Sequence, residues 1–224
     1  MEIALNGYAN LDQIGTGLRQ RIYSRTFIVA NPDNPEDTFI YIVLDAHSGD
    51  TAIRHGVLQG LAALGGEYAR YGEHNLALTG THSHSGPGAW MNYLLPQIPS
   101  KGFDKQSYQA IVDGTLLSIQ RAHESLTLGR LTFGSIDIED SNINRSPYAY
   151  LANPEEERAR YSSDVDKTLT MLRFDRVSDN KTMAVLTFFP VHGTSMYENN
   201  TLVTGDNKGV AEWLFERSVR GDTR

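Results

Sequence analysis

Two histidines one residue apart, His82 and His84, lie in the run Thr81-His82-Ser83-His84-Ser85-Gly86-Pro87-Gly88. Neutral imidazole is a good zinc ligand, and its ordinary pKa also makes it a proton carrier. In an extended segment residues i and i+2 face the same side, so both rings can converge on one metal ion or one substrate. The serine and threonine hydroxyls around them could fix their tautomers. On residue types alone, a polar loop with two solvent-exposed imidazoles is an equal reading. A third histidine, His192, follows Phe188-Phe189-Pro190-Val191 and precedes Gly193-Thr194-Ser195-Met196. Alone, it reads first as a buried, hydrogen-bonded ring. Asp45, in Val43-Leu44-Asp45-Ala46-His47, ends an apolar run. Its carboxylate could bind a metal, orient a ligand histidine or simply cap a strand. Arg145 lies in the turn-rich Asn142-Ile143-Asn144-Arg145-Ser146-Pro147. Its planar fork of donors suits a carboxylate or a carbonyl oxygen, although alone it reads as a surface charge. His47, His55, His74 and His123 have no such constellation around them in the sequence and are assigned no role.

These residues need elements to hold them. Thr26-Phe27-Ile28-Val29 and Phe39-Ile40-Tyr41-Ile42-Val43-Leu44 are rich in β-branched and aromatic residues, and the intervening Asn31-Pro32-Asp33-Asn34-Pro35 is a turn. The spacing predicts a hairpin whose second strand is buried. Ile53, Val57, Leu58, Leu61 and Leu64 recur at helical spacing before Gly65-Gly66, which predicts a helix of about four turns. A short strand near Asn75 to Leu78 then enters the histidine loop. Tyr108, Ile111, Val112, Leu116, Ile119 and Leu126 mark a second amphipathic helix, with Gly129 as its stop. Strands are expected at Arg130 to Ile138, Thr168 to Phe174 and Thr182 to Phe189, the last two joined by Ser178-Asp179-Asn180. Asp206 or Asn207 would cap a final helix, and Gly205-Asp206-Asn207-Lys208-Gly209 lacks P-loop spacing. Hairpins interleaved with helices predict an α/β layered fold with a mixed β-sheet core and flanking helices.

Composition narrows the chemistry. The 224 residues carry 20 Lys and Arg against 27 Asp and Glu, a net charge of −7, and no cysteine. A thiol nucleophile, a disulfide framework and a Cys-ligated zinc are therefore excluded, and a metal site must use His, Asp, Glu or Tyr. The acidic balance argues against nucleic acid as a partner. Residues Met1 to Asn10 do not read as a signal peptide. The apolar stretches Phe39 to Leu44 and Met183 to Val191 fall well short of the roughly 18 residues of a spanning helix. With no repeat or linker to divide it, the chain reads as one unit.

Several segments, in order, resemble the neutral (neutral/alkaline non-lysosomal) ceramidase family. They are Asn6-Gly7-Tyr8-Ala9-Asn10, Gly80 to Gly88, Asn144-Arg145-Ser146-Pro147, Phe189-Pro190-Val191-His192-Gly193-Thr194-Ser195-Met196 and Asp206-Asn207-Lys208-Gly209, with Ala110 to Gly114 and Asn153 to Tyr161 agreeing beside them. The resemblance implies a zinc-dependent hydrolase that cleaves the amide of ceramide to sphingosine and a fatty acid, in sphingolipid breakdown. It matches His82 and His192 to two zinc-ligand histidines, His84 to a neighbouring active-site histidine and Arg145 to an active-site arginine. It implies ceramide and related N-acyl sphingoid lipids as substrates, a membrane surface as their source, and a secreted or membrane-surface setting. In the family the remaining zinc ligands, a glutamate and a tyrosine, and an active-site serine lie downstream of the Asp-Asn-Lys-Gly motif. The expectation is therefore that residues 1–224 are the amino-terminal part of a single catalytic domain, hold half of the metal site, and have little or no activity alone. Two other readings stand beside this one: a non-catalytic binding module, and a different metal hydrolase, such as a phosphoesterase built on Asp45, His82, His84 and His192.

Overall fold

The computed structural model describes residues 3–220. In chain order the strands are β1 (Leu5–Asn6), β2 (Gly17–Leu18), β3 (Ser24–Asn31), β4 (Asn34–Leu44), β5 (Leu76–Gly80), β6 (Gly86–Pro87), β7 (Gly129–Asp137), β8 (Thr168–Arg176), β9 (Thr182–Phe188) and β10 (Leu202–Val203). The helices are α1 (Thr51–Leu64), α2 (Leu94–Gln97), α3 (Lys105–Glu124), α4 (Pro147–Leu151), α5 (Glu155–Arg158) and α6 (Asp206–Arg220). The residues cluster into two compact units, one of residues 1–126 and 192–224 and the other of residues 127–191.

In the first unit β3, β4 and β5 form a mixed sheet in that order. The expected hairpin is β3 and β4, antiparallel from Ser24 opposite Leu44 to Asn31 opposite Asn34. Its turn is tighter than the composition suggested, because only Pro32 and Asp33 remain outside the ladder. β4 alternates as a half-buried strand should, with Thr38, Ile40, Ile42 and Leu44 buried and Phe39, Tyr41 and Val43 more exposed. β5 pairs with β4 in parallel, from Ile40 opposite Leu76 to Leu44 opposite Gly80. A parallel neighbour needs a crossover, and α1 supplies it. The Asp50 carboxylate caps α1 by accepting the Ala52 N–H at 2.8 Å, and the left-handed Gly65 ends it by donating its N–H to the Leu61 carbonyl. Ile53, Val57 and Leu61 of α1 meet Ile40, Ile42, Leu44 and Leu76 of the sheet and Val112 and Ile119 of α3 in one core. Gly56 and Gly60 face Tyr108 and Leu116, so the absence of side chains there is what brings α1 and α3 close. α3 ends at Glu124 with Ser125 as its C-cap, four residues before Gly129, which instead opens β7.

The second unit is an antiparallel meander, β7-β8-β9, with Leu131 opposite Phe174 and Leu172 opposite Leu186. Asn180, with φ at 56°, makes the turn between β8 and β9. Phe133 is 73% exposed and Ile136 65%.

Beneath β4 lies a buried charge network. The Asp45 carboxylate, 1% exposed, accepts the Tyr23 N–H at 3.0 Å and pairs with Arg25 at 2.9 Å. Arg25 also meets Glu212 at 2.7 Å and Glu216 at 2.8 Å, both on α6. Burial opposes the Arg25 charge, but the three carboxylates more than offset it and raise its pKa. Three acids share one guanidinium. Burial and the Asp45 charge therefore raise the Glu212 pKa well above the usual carboxylate range, with Arg25 opposing. The unfolded chain gives up that proton at ordinary glutamate pH while the fold retains it, so this group makes stability fall as pH rises. Glu212→Gln should then raise stability at pH 8 and flatten its fall above pH 5, read by chemical denaturation across pH. Asp45→Ala, which strips a buried cation of its most buried partner, should cost about 3 kcal/mol in the same assay.

Candidate functional site

The site forms where β4 and β5 end. Because Leu44 stands opposite Gly80, the segments that leave the two strands run side by side. The Thr81 N–H donates to the Leu44 carbonyl at 2.9 Å and the His82 N–H to the Ala46 carbonyl at 3.0 Å. The expected convergence of His82 and His84 is real, although its cause differs from the extended segment anticipated. His82 sits in the left-handed region with φ at 66°, a strained choice for a histidine. Its ring is held by a 2.8 Å hydrogen bond from Nδ1 to the His47 carbonyl. A carbonyl only accepts, so Nδ1 carries the proton and the Nε2 lone pair points into the site.

His192 arrives from the far end of the unit. A parallel bridge joins Ser83 to Gly193, and the His84 N–H donates to the Gly193 carbonyl at 2.9 Å. The ring tips then meet: His84 Nε2 lies 3.3 Å from His82 Nε2 and 2.9 Å from His192 Nε2. The centroids of His82 and His192 are 4.4 Å apart, with the rings edge to face. His47, given no role by the sequence reading, belongs to this cluster. Its ring centroid lies 4.3 Å from that of His82 and 5.3 Å from that of His84. One donor atom from each of His47, His82 and His84 lies within 4.8 Å of the other two. Burial, helped by the His82 and His192 charges, pushes the His47 pKa down to about 4, so this ring is neutral at pH 7.

The supporting shell explains the sequence between the histidines. Ser83 and Ser85 are fully buried. The Ser83 hydroxyl donates to the Thr204 carbonyl at 2.9 Å, and the Thr204 N–H donates to the Ser85 carbonyl at 3.0 Å. Asp206, read from the sequence as a possible helix cap, opens α6 with its carboxylate turned back onto the His192 loop. It accepts the Ser195 N–H at 3.0 Å and the Met196 N–H at 3.2 Å. Asn207 donates to the His192 carbonyl at 2.8 Å. Tyr8 packs edge to face on His84 at 4.6 Å, and its hydroxyl donates to the Thr194 carbonyl. Two glycines are obligatory. At Gly7, with φ at 136°, a Cβ would fall on the His84 ring, and at Gly193 it would strike the His82 carbonyl.

Asp45 is taken up by Arg25 and Tyr23, so the compact metal site that would combine it with the histidines is not formed. Arg145 belongs to the other unit, on an exposed loop where the Asn144 side chain accepts the Ser146 N–H at 2.8 Å.

Comparison with known proteins decides what this geometry belongs to. Residues 1–224 match the family profile described as neutral/alkaline non-lysosomal ceramidase, N-terminal. The chain is a member of that family. It is 40% identical to the neutral ceramidase of Oryza sativa subsp. japonica over 96% of its length, which is 27% of that relative. To the neutral ceramidase of Mycobacterium tuberculosis it is 36% identical, covering 96% of this chain and 33% of the relative. The crystal structure of neutral ceramidase from Pseudomonas aeruginosa superposes with a TM-score of 0.91 at 33% identity, over 97% of this chain and 34% of that one. A ceramidase complexed with C2 also gives 0.91, at 32% identity. The chain thus spans about a third or less of the ceramidases it matches, and the mixed α/β fold expected from the sequence is theirs.

The contact at Gly193 yields a test within this ceramidase fold. Gly193→Ala should destabilise the chain by about 1–3 kcal/mol through overpacking against the His82 carbonyl. Gly114→Ala, on α3 with nothing within 4 Å of its Cβ position, should gain about 0.5–1 kcal/mol. Thermal unfolding of both variants reads the difference.

Proposed function

We propose that the protein serves in the hydrolysis of the N-acyl amide of ceramide and related N-acyl sphingoid lipids, with a zinc ion held by His82 and His192. The observation that carries this reading is the convergence of the imidazole tips, at 2.9 and 3.3 Å, in the loops that bear the family's motif text. The donor set fits the ion. The chain offers no thiol, the His82 tautomer turns a lone pair inward, and neutral rings can place at most one proton in each contact between tips. A small cation at the convergence would let the lone pairs of these rings face inward together. When bound, zinc would lower the pKa of a water and polarise the amide carbonyl.

The remaining work falls to this chain's side chains. His84 touches both other tips, and we assign it the proton transfer: it takes a proton as water adds to the carbonyl carbon and returns one to the departing amine as the C–N bond breaks. Arg145, assigned by its motif, would orient the carbonyl oxygen and offset the charge that develops there. The buried serines and Thr204 hold the rings in place, so that little reorganisation is needed during reaction. The substrate would come from a membrane surface, and the protein would work outside the cell or at such a surface. In this proposal residues 1–224 are the amino-terminal part of a catalytic domain whose other ligands lie further along the family's length, and they turn over little or no ceramide alone.

The test is zinc content and ceramide hydrolysis measured on residues 1–224 and on a longer product of the same gene, each also as His82→Ala. The longer product should bind zinc and cleave ceramide, and His82→Ala should reduce both by more than about 100-fold, beyond the loss typical of an outer-sphere partner. Turnover by residues 1–224 comparable to that of the longer product would overturn the division of the site. Zinc binding and hydrolysis that survive His82→Ala would overturn the ligand assignment.

A further inference from the structure

We propose that Tyr8 is a positioning residue for the proton transfer assigned to His84, packing against that ring and tying it to the loop that carries His192; the inference rests on the reading of His84 given above. The backbone sets this up. β1 pairs antiparallel with β6, Leu5 opposite Pro87 and Asn6 opposite Gly86, so the chain leaving β1 runs back past Ser85 and His84. The Gly88 N–H donates to the Ala4 carbonyl at 2.8 Å and the Leu5 N–H to the Gln13 carbonyl at 2.9 Å, which anchors β1 on two sides. Gly7 comes next. A Cβ there would lie 2.3 Å from His84 Cγ, so the Gly7 backbone lies directly against the base of the imidazole. Tyr8 then sets its ring on His84, with centroids 4.6 Å apart and planes at 76°, an edge-to-face contact.

The other end of Tyr8 reaches a different loop. Its hydroxyl donates to the Thr194 carbonyl at 3.3 Å, two residues beyond His192. Burial and the Asp206 charge raise the Tyr8 pKa, so the hydroxyl keeps its proton and goes on donating above neutral pH. Asp206 and Asn207 hold the loop to which Thr194 belongs, so Tyr8 joins His84 to a fixed frame. At its tip, His84 meets His82 and His192. Lone pairs that zinc takes from those rings no longer hold the His84 tip, and packing at its base then carries more of its orientation. A proton carrier must point one nitrogen at the reacting atoms, and a displacement of about 1 Å can cost about 100-fold in rate. The two ends of Tyr8 separate by mutation: Tyr8→Phe keeps the ring and removes the hydroxyl, whereas Tyr8→Leu removes both.

The experiment compares the wild type, Tyr8→Phe, Tyr8→Leu and His84→Gln in the longer product of the same gene, with ceramide turnover referred to the zinc content of each sample. Tyr8→Leu should lower kcat by about 10-fold or more with KM near the wild-type value, the pattern of an interaction lost in the transition state. Tyr8→Phe should restore kcat to within about threefold of the wild type, since it lacks only one long hydrogen bond. A second readout needs no turnover. In protein carrying isotope-labelled histidine, the His84 ring resonance, identified by its loss in His84→Gln, should move in Tyr8→Leu and stay near its wild-type position in Tyr8→Phe. The His123 resonance, from a ring on α3, should stay in place throughout. Wild-type kcat in Tyr8→Leu would overturn the proposal, as would a rise in KM with kcat unchanged, the mark of a substrate contact. Equal losses of kcat in Tyr8→Leu and Tyr8→Phe with the His84 resonance unmoved would overturn it too. So would a loss of kcat that follows a fall in thermal midpoint and is not rescued by Phe. Should His84→Gln turn over ceramide like the wild type, the proton-transfer reading itself fails, an outcome distinct from failure at Tyr8 alone.

Discussion

Ser83 is held on two sides, by a parallel bridge to Gly193 and by its hydroxyl on the Thr204 carbonyl, and the imidazole cluster depends on that grip. A loop of alternating histidine and serine would ordinarily be mobile and wet. Here the serines turn inward and become structural, so the histidines between them are driven to the opposite side and toward one another. The strained backbone of His82 is tolerable only because its neighbours on both sides are bonded in place. Removing water from the serines costs little, since each buried hydroxyl has a protein partner.

A second layer secures the grip from below. α6 is bound to the sheet through Glu212 and Glu216 on Arg25, while its first residues, Asp206 and Asn207, reach the loop that carries His192. α6 thus serves two places at once: Glu212 and Glu216 gather with Asp45 around Arg25, and its first residues steady the loop that brings His192 to the other imidazoles.

How much of this was legible depended on range. The hairpin, α1 and α3 follow from local periodicity, because each apolar face is written within one stretch of sequence. His82 and His84 were visible as a pair through their spacing. His192 could be tied to them only through resemblance to ceramidases, since the bridge from Ser83 to Gly193 spans residues far apart in the chain. His47 was missed for a related reason. Its nearness to His82 is a product of the parallel register of β4 and β5, and the signal was present in the β-helix-β pattern, whose strand ends share one edge of a sheet. Asp45 misled in the other direction, because a carboxylate at a strand end near histidines looks like a ligand until Arg25 is known to lie beside it. Asp206 read as a helix cap because nothing local reveals that its carboxylate turns back onto Ser195 and Met196.

The first unit is discontinuous, residues 1–126 and 192–224, with the β7-β8-β9 meander encoded between its two parts. During synthesis from the amino terminus, the sheet and the His82–His84 loop therefore emerge long before their fastening, for Thr204 lies 121 residues beyond Ser83. Until that segment leaves the ribosome, Ser83 and Ser85 lack the partners that Thr204 and Asn200 supply in the fold. Loop closure over such a separation is also slow. The imidazole cluster is thus fastened only late in synthesis, and its assembly becomes a property of chain order as much as of local sequence.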